Sequence, residues 1–349
     1  MRSLLFMLTI LLLSLNVSLQ PSVAHAAEPL PKLNLDISKT TVSGLSSGAF
    51  MAVQLETAFS SAIAGAGVVS GGPYNCAEDS VYKAVFGCLV PPWYMYWPAP
   101  VADESFAAFK TLEGRIDPLS DIASDRIYLF HGTADDTVRR KSMDVLAEVY
   151  GRLDVPAANI RYVTDVGAGH GFLTDEGPVA CGVTKPDFLN DCDIDQAGDI
   201  LKWLYGELAP PVGPTGVADN LLSFDQSAYT EGALGMDDTG FVYIPASCRS
   251  GAPCRLHIAL HGCQQGRKTI GDAYARLTGY NGWAEANGIV VLYPQAVVIP
   301  ASAFSPFAGN PKGCWDWWGY SADDYLSRDA PQLAAIARMA AALGAPIRR

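Results

Sequence analysis

Runs of β-branched and aliphatic residues alternate with segments of helical period along this chain. Residues 39–43 (KTTVS) read as a strand, and 49–55 begin an apolar, Ala-rich helix. Buried strands are predicted over 63–70, 126–130 and 160–164, with helices over 141–153 and 194–208. A Pro/Gly-rich stretch over 210–216 interrupts the alternation. Strands over 240–245, 255–260 and 288–294 follow, and a helix over 330–343 with no strand after it. This order predicts an α/β fold with a mostly parallel central sheet and helices on both faces.

The amino terminus lies outside that pattern. Met1-Arg2-Ser3 precedes an apolar run from Leu4 to Leu15, and Ala24-His25-Ala26 offers a small-x-small cleavage site. Residues 1–26 therefore read as a secretory signal peptide, too short for a membrane span. A secreted protein, extracellular or periplasmic, is expected, and residues 27–349 are left as one catalytic domain. The oxidising compartment favours disulfides among the eight cysteines. Close pairs suggest Cys76–Cys88, Cys181–Cys192 and Cys248–Cys254, which leaves Cys263 for Cys314; spacing alone keeps other pairings open. There is no C-x-x-C pair and no histidine at ligand spacing, so no metal is expected. A net charge of −12 argues against nucleic acid and anionic membrane surfaces as partners.

Between the first strand and its helix stands Gly44-Leu45-Ser46-Ser47-Gly48, a G-x-S-x-G turn. In that context Ser46 is placed on a nucleophile elbow, which lifts a hydroxyl above the sheet edge. An ordinary Gly/Ser turn is the bland alternative. A serine needs a base. His131 and His261 precede glycines in strand-ending turns, and His257 lies within a strand. His170, in the Gly-rich loop after 160–164, is the base this order favours. For the third member, Asp135 in HGTADDTV fits the order Ser…Asp…His, with Asp136 and Asp165 as rivals. Backbone amides of Ser47 and of Cys263, in His261-Gly262-Cys263, are candidate oxyanion donors.

That His-Gly-Cys loop comes long after the serine, whereas an ordinary α/β-hydrolase places its oxyanion loop first. A circular permutation accounts for this, with the old ends joined through a linker over about 209–219. Two separate domains are the alternative, but neither half would then own a complete sheet and site.

Two aromatic clusters remain, Trp93 to Trp97 and Trp315 to Tyr320. Neither has a helical or strand period, so core and cleft both stay open for them.

The segments SGLSSGAFMAVQL, HGTADDTV, GAGHGF, LHGCQQ and GCWDWWGY together resemble the secreted poly(3-hydroxybutyrate) depolymerases with a circularly permuted α/β-hydrolase domain. The resemblance implies Ser46 as nucleophile, His170 as base, Asp135 as its partner, and the Ser47 and Cys263 amides as oxyanion donors. It also implies that Trp315 lies at the substrate cleft; Trp317, Trp93 and Trp97 join it as substrate-binding candidates. A polyester or ester-oligomer substrate, no cofactor and a monomer are expected. Many members append a polymer-binding module; this chain is read as the type without one, with soluble oligomers or amorphous polymer as its targets. A feruloyl or acetyl-xylan esterase is the first rival, and a non-catalytic polymer-binding homologue the second.

Overall fold

The structure, a computed structural model, describes residues 28–213, 217–300 and 309–348. The signal peptide read over 1–26, and 214–216 of the linker, lie outside the described residues.

Eight strands form one sheet: β1 (Thr40–Leu45), β2 (Ile63–Val69), β3 (Arg126–Phe130), β4 (Ile160–Val163), and later β8 (Leu221–Asp225), β9 (Thr239–Tyr243), β10 (Arg255–Leu260) and β11 (Ile289–Tyr293). Their spatial order is β4-β3-β2-β1-β10-β11-β9-β8. The run from β4 to β11 is parallel, whereas β9 and β8 are antiparallel to their neighbours. Counted from β8 through β11 and then β1 through β4, that order reads 1-2-4-3-5-6-7-8. The serine strand counts fifth, and the strand leading into the His-Gly-Cys loop counts third, its place in an α/β-hydrolase. The fold is a circularly permuted α/β-hydrolase, with the sheet shared by the chain on both sides of the linker. The new ends are neighbours: the Leu33 amide donates to the Leu343 carbonyl at 2.9 Å.

Strand alternation separates two cores. On β3, Ile127 and Leu129 enter one core while Tyr128 and Phe130 enter the other. On β11, Val290 and Leu292 oppose Val291 and Tyr293 in the same way. Helices Ser47–Ala58, Arg140–Arg152 and Pro331–Leu343 cover the first face, and Gln196–Tyr205 and Tyr280–Asn287 the second. All 12 residues of the helix after the elbow are buried, which explains its apolar run from Ala49 to Val53, while Gln54 and Glu56 are buried with hydrogen-bond partners. The first residues of the linker lie on helix Tyr280–Asn287, with the Val212 amide on the Gly282 carbonyl at 3.1 Å and the Ala209 amide on Asn287 Oδ1.

Several elements carry no clear sequence signal. Helix Ala102–Thr111 and edge strand β8 are unpredicted, and β8 buries only Phe224 fully. A second sheet joins β5 (Phe172–Thr174), β6 (Val179–Ala180) and β7 (Leu189–Asp191) in the order β5-β7-β6. These strands are too short to show a period, and the Cys181–Cys192 disulfide fastens them.

Candidate active site

Ser46 sits between β1 and its helix with φ 56° and ψ −120°, a left-handed backbone that costs an ordinary residue about 1–3 kcal/mol. The flanking glycines make that turn possible. A Cβ on Gly44 would overlap the Gly48 carbonyl, and a Cβ on Gly48 would overlap the carbonyls of Leu260 and His261. Strand, helix and His-Gly-Cys loop therefore approach more closely than any side chain allows.

His170 follows β4 in a loop anchored on both sides. Its amide donates to Thr184 Oγ1 at 3.0 Å, and the Gly169 amide to the Cys181 carbonyl at 2.8 Å. Of the three candidate acids, Asp135 meets the ring, with Oδ2 2.9 Å from His170 Nδ1. Its Oδ1 accepts the Thr137 and Val138 amides at 2.9 and 3.0 Å. Burial pushes this carboxyl up, but the imidazole and the hydrogen bonds from His170, Ser70 and Thr137 outweigh it and hold Asp135 well below the usual carboxylate range. It stays ionised and orients the imidazole. That leaves Nε2 as the nitrogen available for proton transfer.

The other histidines are structural, as their positions predict. His257 is bonded to Thr41 and Ser43 within the sheet, and burial pulls it down to about 3. Burial likewise pulls His261 down to about 4, against a hydrogen bond to the Gly262 carbonyl. Its Nε2 accepts the Ala296 amide at 3.0 Å, so Nδ1 carries the proton. His131 is buried against the Val138 carbonyl.

The His-Gly-Cys loop is held from several sides. The Gly262 amide donates to Gln265 Oε1 at 2.6 Å, and Gln265 Nε2 donates to the Asp187 and Phe188 carbonyls. Cys263 is bonded to Cys314, and the Gln264 amide donates to the Lys312 carbonyl at 2.7 Å. Among the described residues, the amides of Ser47 and Cys263 donate to no protein acceptor. Two free N–H groups on fixed backbone beside a serine are what a developing oxyanion requires.

Ser46 and His170 line one cavity of about 530 Å³. Its walls are largely apolar and include Val81, Val85, Leu89, Phe188, Trp317 and Trp318.

The aromatic expectations need correction. Trp315 is fully buried and lines no part of the cavity. Its Nε1 donates to the His261 carbonyl at 2.9 Å and its amide to Ser47 Oγ at 3.3 Å, so it braces the loop and elbow from behind. Trp317 does line the cavity, stacked on Phe50 with ring centroids 4.1 Å apart. Trp93 and Trp97 are absent from its walls. Trp93 is 95% exposed. Trp97 is half-buried against Phe86, its carbonyl accepting from Arg139. Sequence reasoning missed Trp318, Phe188 and Gln265. Trp318 lay within an aromatic run, and Gln265 within the LHGCQQ segment, already singled out, whereas nothing local marks Phe188.

The three close cysteine pairs and the remaining Cys263–Cys314 pair are bonded, and no described cysteine is free.

Comparison with known proteins adds an independent line. No family model matches the chain. It is 41% identical over 318 residues to a poly(3-hydroxybutyrate) depolymerase of Delftia acidovorans, covering 90% of this chain and 61% of that protein's length. It is 39% identical over 320 residues to a polyhydroxybutyrate depolymerase of Talaromyces funiculosus, covering 89% and 91%. Among solved structures, a serine-to-alanine variant of a PHB depolymerase complexed with an R3HB trimer superposes with a TM-score of 0.79 at 36% identity, covering 91% of this chain and 99% of that one.

Proposed function

This chain belongs to the poly(3-hydroxybutyrate) depolymerase family, and we propose that it is an exported, monomeric serine esterase cleaving 3-hydroxybutyrate polyester or its oligomers. The observation that carries the reading is His170, held 2.9 Å from buried Asp135, sharing one apolar cavity with the elbow serine beside two free amides.

In this reading His170 Nε2 takes the Ser46 hydroxyl proton as Oγ attacks the ester carbonyl carbon. The negative charge formed on the carbonyl oxygen is held by the Ser47 and Cys263 amides. Collapse breaks the ester C–O bond, and the leaving oxygen takes the proton from His170. Water then gives a proton to His170 and attacks the acyl group, and the returning proton restores Ser46 as the acid departs. Asp135 remains ionised throughout. Trp317 and Trp318 supply apolar wall for the methyl-bearing repeat units. The exposed aromatics Trp93, Tyr94 and Tyr96 suit adsorption to a solid polyester. The four disulfides suit an oxidising compartment.

The test mixes the mature protein, or its Ser46→Ala variant, with an amorphous poly(3-hydroxybutyrate) suspension and follows turbidity and released acid. Clearing by the unaltered protein alone, with 3-hydroxybutyrate or its dimer appearing, is expected. Rapid hydrolysis of a short-chain ester without clearing would move the substrate elsewhere.

A further inference from the structure

The sequence holds 36 acidic residues against 24 lysines and arginines, yet among the described residues no aspartate or glutamate lines the cavity that contains Ser46 and His170. The charged residues that do line it are Lys185 and Lys312. Asp135, the carboxylate closest to the chemistry, presents no side-chain surface and is already bonded to His170. The charge facing the cavity is therefore positive in a molecule that is negative as a whole.

The two lysines come from different segments of the chain, and each backbone is hydrogen-bonded. Lys185 follows Thr184, which holds the His170 amide, and its own carbonyl accepts the Phe188 amide at 2.9 Å. Lys312 accepts the Gln264 amide at 2.7 Å and stands two residues before Cys314, the disulfide partner of Cys263. Both side chains are exposed, and among the described residues neither is paired with a carboxylate.

Interior units of a hydroxyalkanoate polyester are uncharged, so a pair of ammonium groups gains little from them. One end of every such chain is a carboxylate, and each hydrolysis makes another. We infer that Lys185 and Lys312 bind the terminal carboxylate of the substrate, making the enzyme prefer acid-ended oligomers and cut near that end. The inference rests on the esterase reading above. Attraction between exposed charges is modest and screened by salt, so the preference belongs in KM and weakens as salt rises.

The experiment compares the R3HB trimer as free carboxylate and as methyl ester, at low and high salt, with the unaltered protein and with K185Q, K312Q and the double variant. The readout is the ratio of kcat/KM for carboxylate over methyl ester. The unaltered protein should favour the carboxylate at low salt and lose that preference at high salt. The double variant should lower the ratio about fivefold to tenfold and abolish its salt dependence. Unchanged ratios in the double variant, with both trimers still cleaved, would overturn the inference and leave the esterase reading standing. Hydrolysis of neither trimer by the unaltered protein would overturn the esterase reading, and the inference with it.

Discussion

His170 and Asp135 meet through one carboxylate oxygen, at 2.9 Å, while the other oxygen of Asp135 is held by two backbone amides. The carboxylate cannot turn away without losing three hydrogen bonds. It therefore fixes both the orientation of the imidazole and the nitrogen that carries its proton. Asp135→Asn keeps the shape and removes the charge. It should lower kcat by about 10⁴-fold, with a much smaller change in KM, measured on a soluble ester.

Trp315 should matter for stability and for the oxyanion together. Trp315→Ala empties a fully buried site and is expected to cost about 3–5 kcal/mol in denaturant unfolding. Trp315→Phe keeps most of the packing but loses the bond to the His261 carbonyl. That variant should fold and show a reduced kcat, because the loop carrying the Cys263 amide is less firmly held.

The Cys263–Cys314 disulfide closes a separation of 51 residues, the widest of the four. Replacing both cysteines with serine should cost about 2–5 kcal/mol. Cys263→Ser preserves the backbone amide, so any loss of kcat beyond that of C248S/C254S measures the rigidity of the oxyanion loop.

A pH effect on stability should come from the C-terminal end of the elbow helix. Glu56 and Asp125 are both buried, Glu56 also holds the Tyr150 hydroxyl, and burial pushes both carboxyls up. A folded-state pKa above the unfolded value favours the native state below the ordinary carboxylate range, near about 4, and this contribution is lost as pH rises. Thermal unfolding should therefore show Tm falling from mildly acidic to alkaline pH. E56Q/D125N should flatten that slope; an equally steep slope in the variant would assign it to other groups.

Much of this was legible from the chain because the informative elements are long or locally marked. β1, the elbow and its helix announce themselves by composition, and the Ser…Asp…His order needs no tertiary knowledge. The permutation was readable because the His-Gly-Cys loop stands out of sequence. Strands β5 to β7, of two or three residues, exist through their pairing and a disulfide, which no local pattern encodes. Trp315 and Trp317 are two positions apart in one aromatic run, yet one braces the loop and the other faces the cavity. Only the tertiary contacts with His261 and Phe50 separate them. Gln265 was hidden for the same reason: its partners, Asp187 and Phe188, lie 78 and 77 residues away.

The pairing of β1 with β10 places Thr41 beside His257, 216 residues apart in sequence, at the centre of the sheet. During synthesis Ser46 and His170 emerge first, and the strand that must lie against the serine strand follows only after the linker. Until β10 inserts between β1 and β11, no oxyanion loop exists and the middle of the sheet has an open edge. Such non-local closure is slow. A chain made only as far as the linker therefore holds serine, acid and base but lacks the strand and the His-Gly-Cys loop that complete the site.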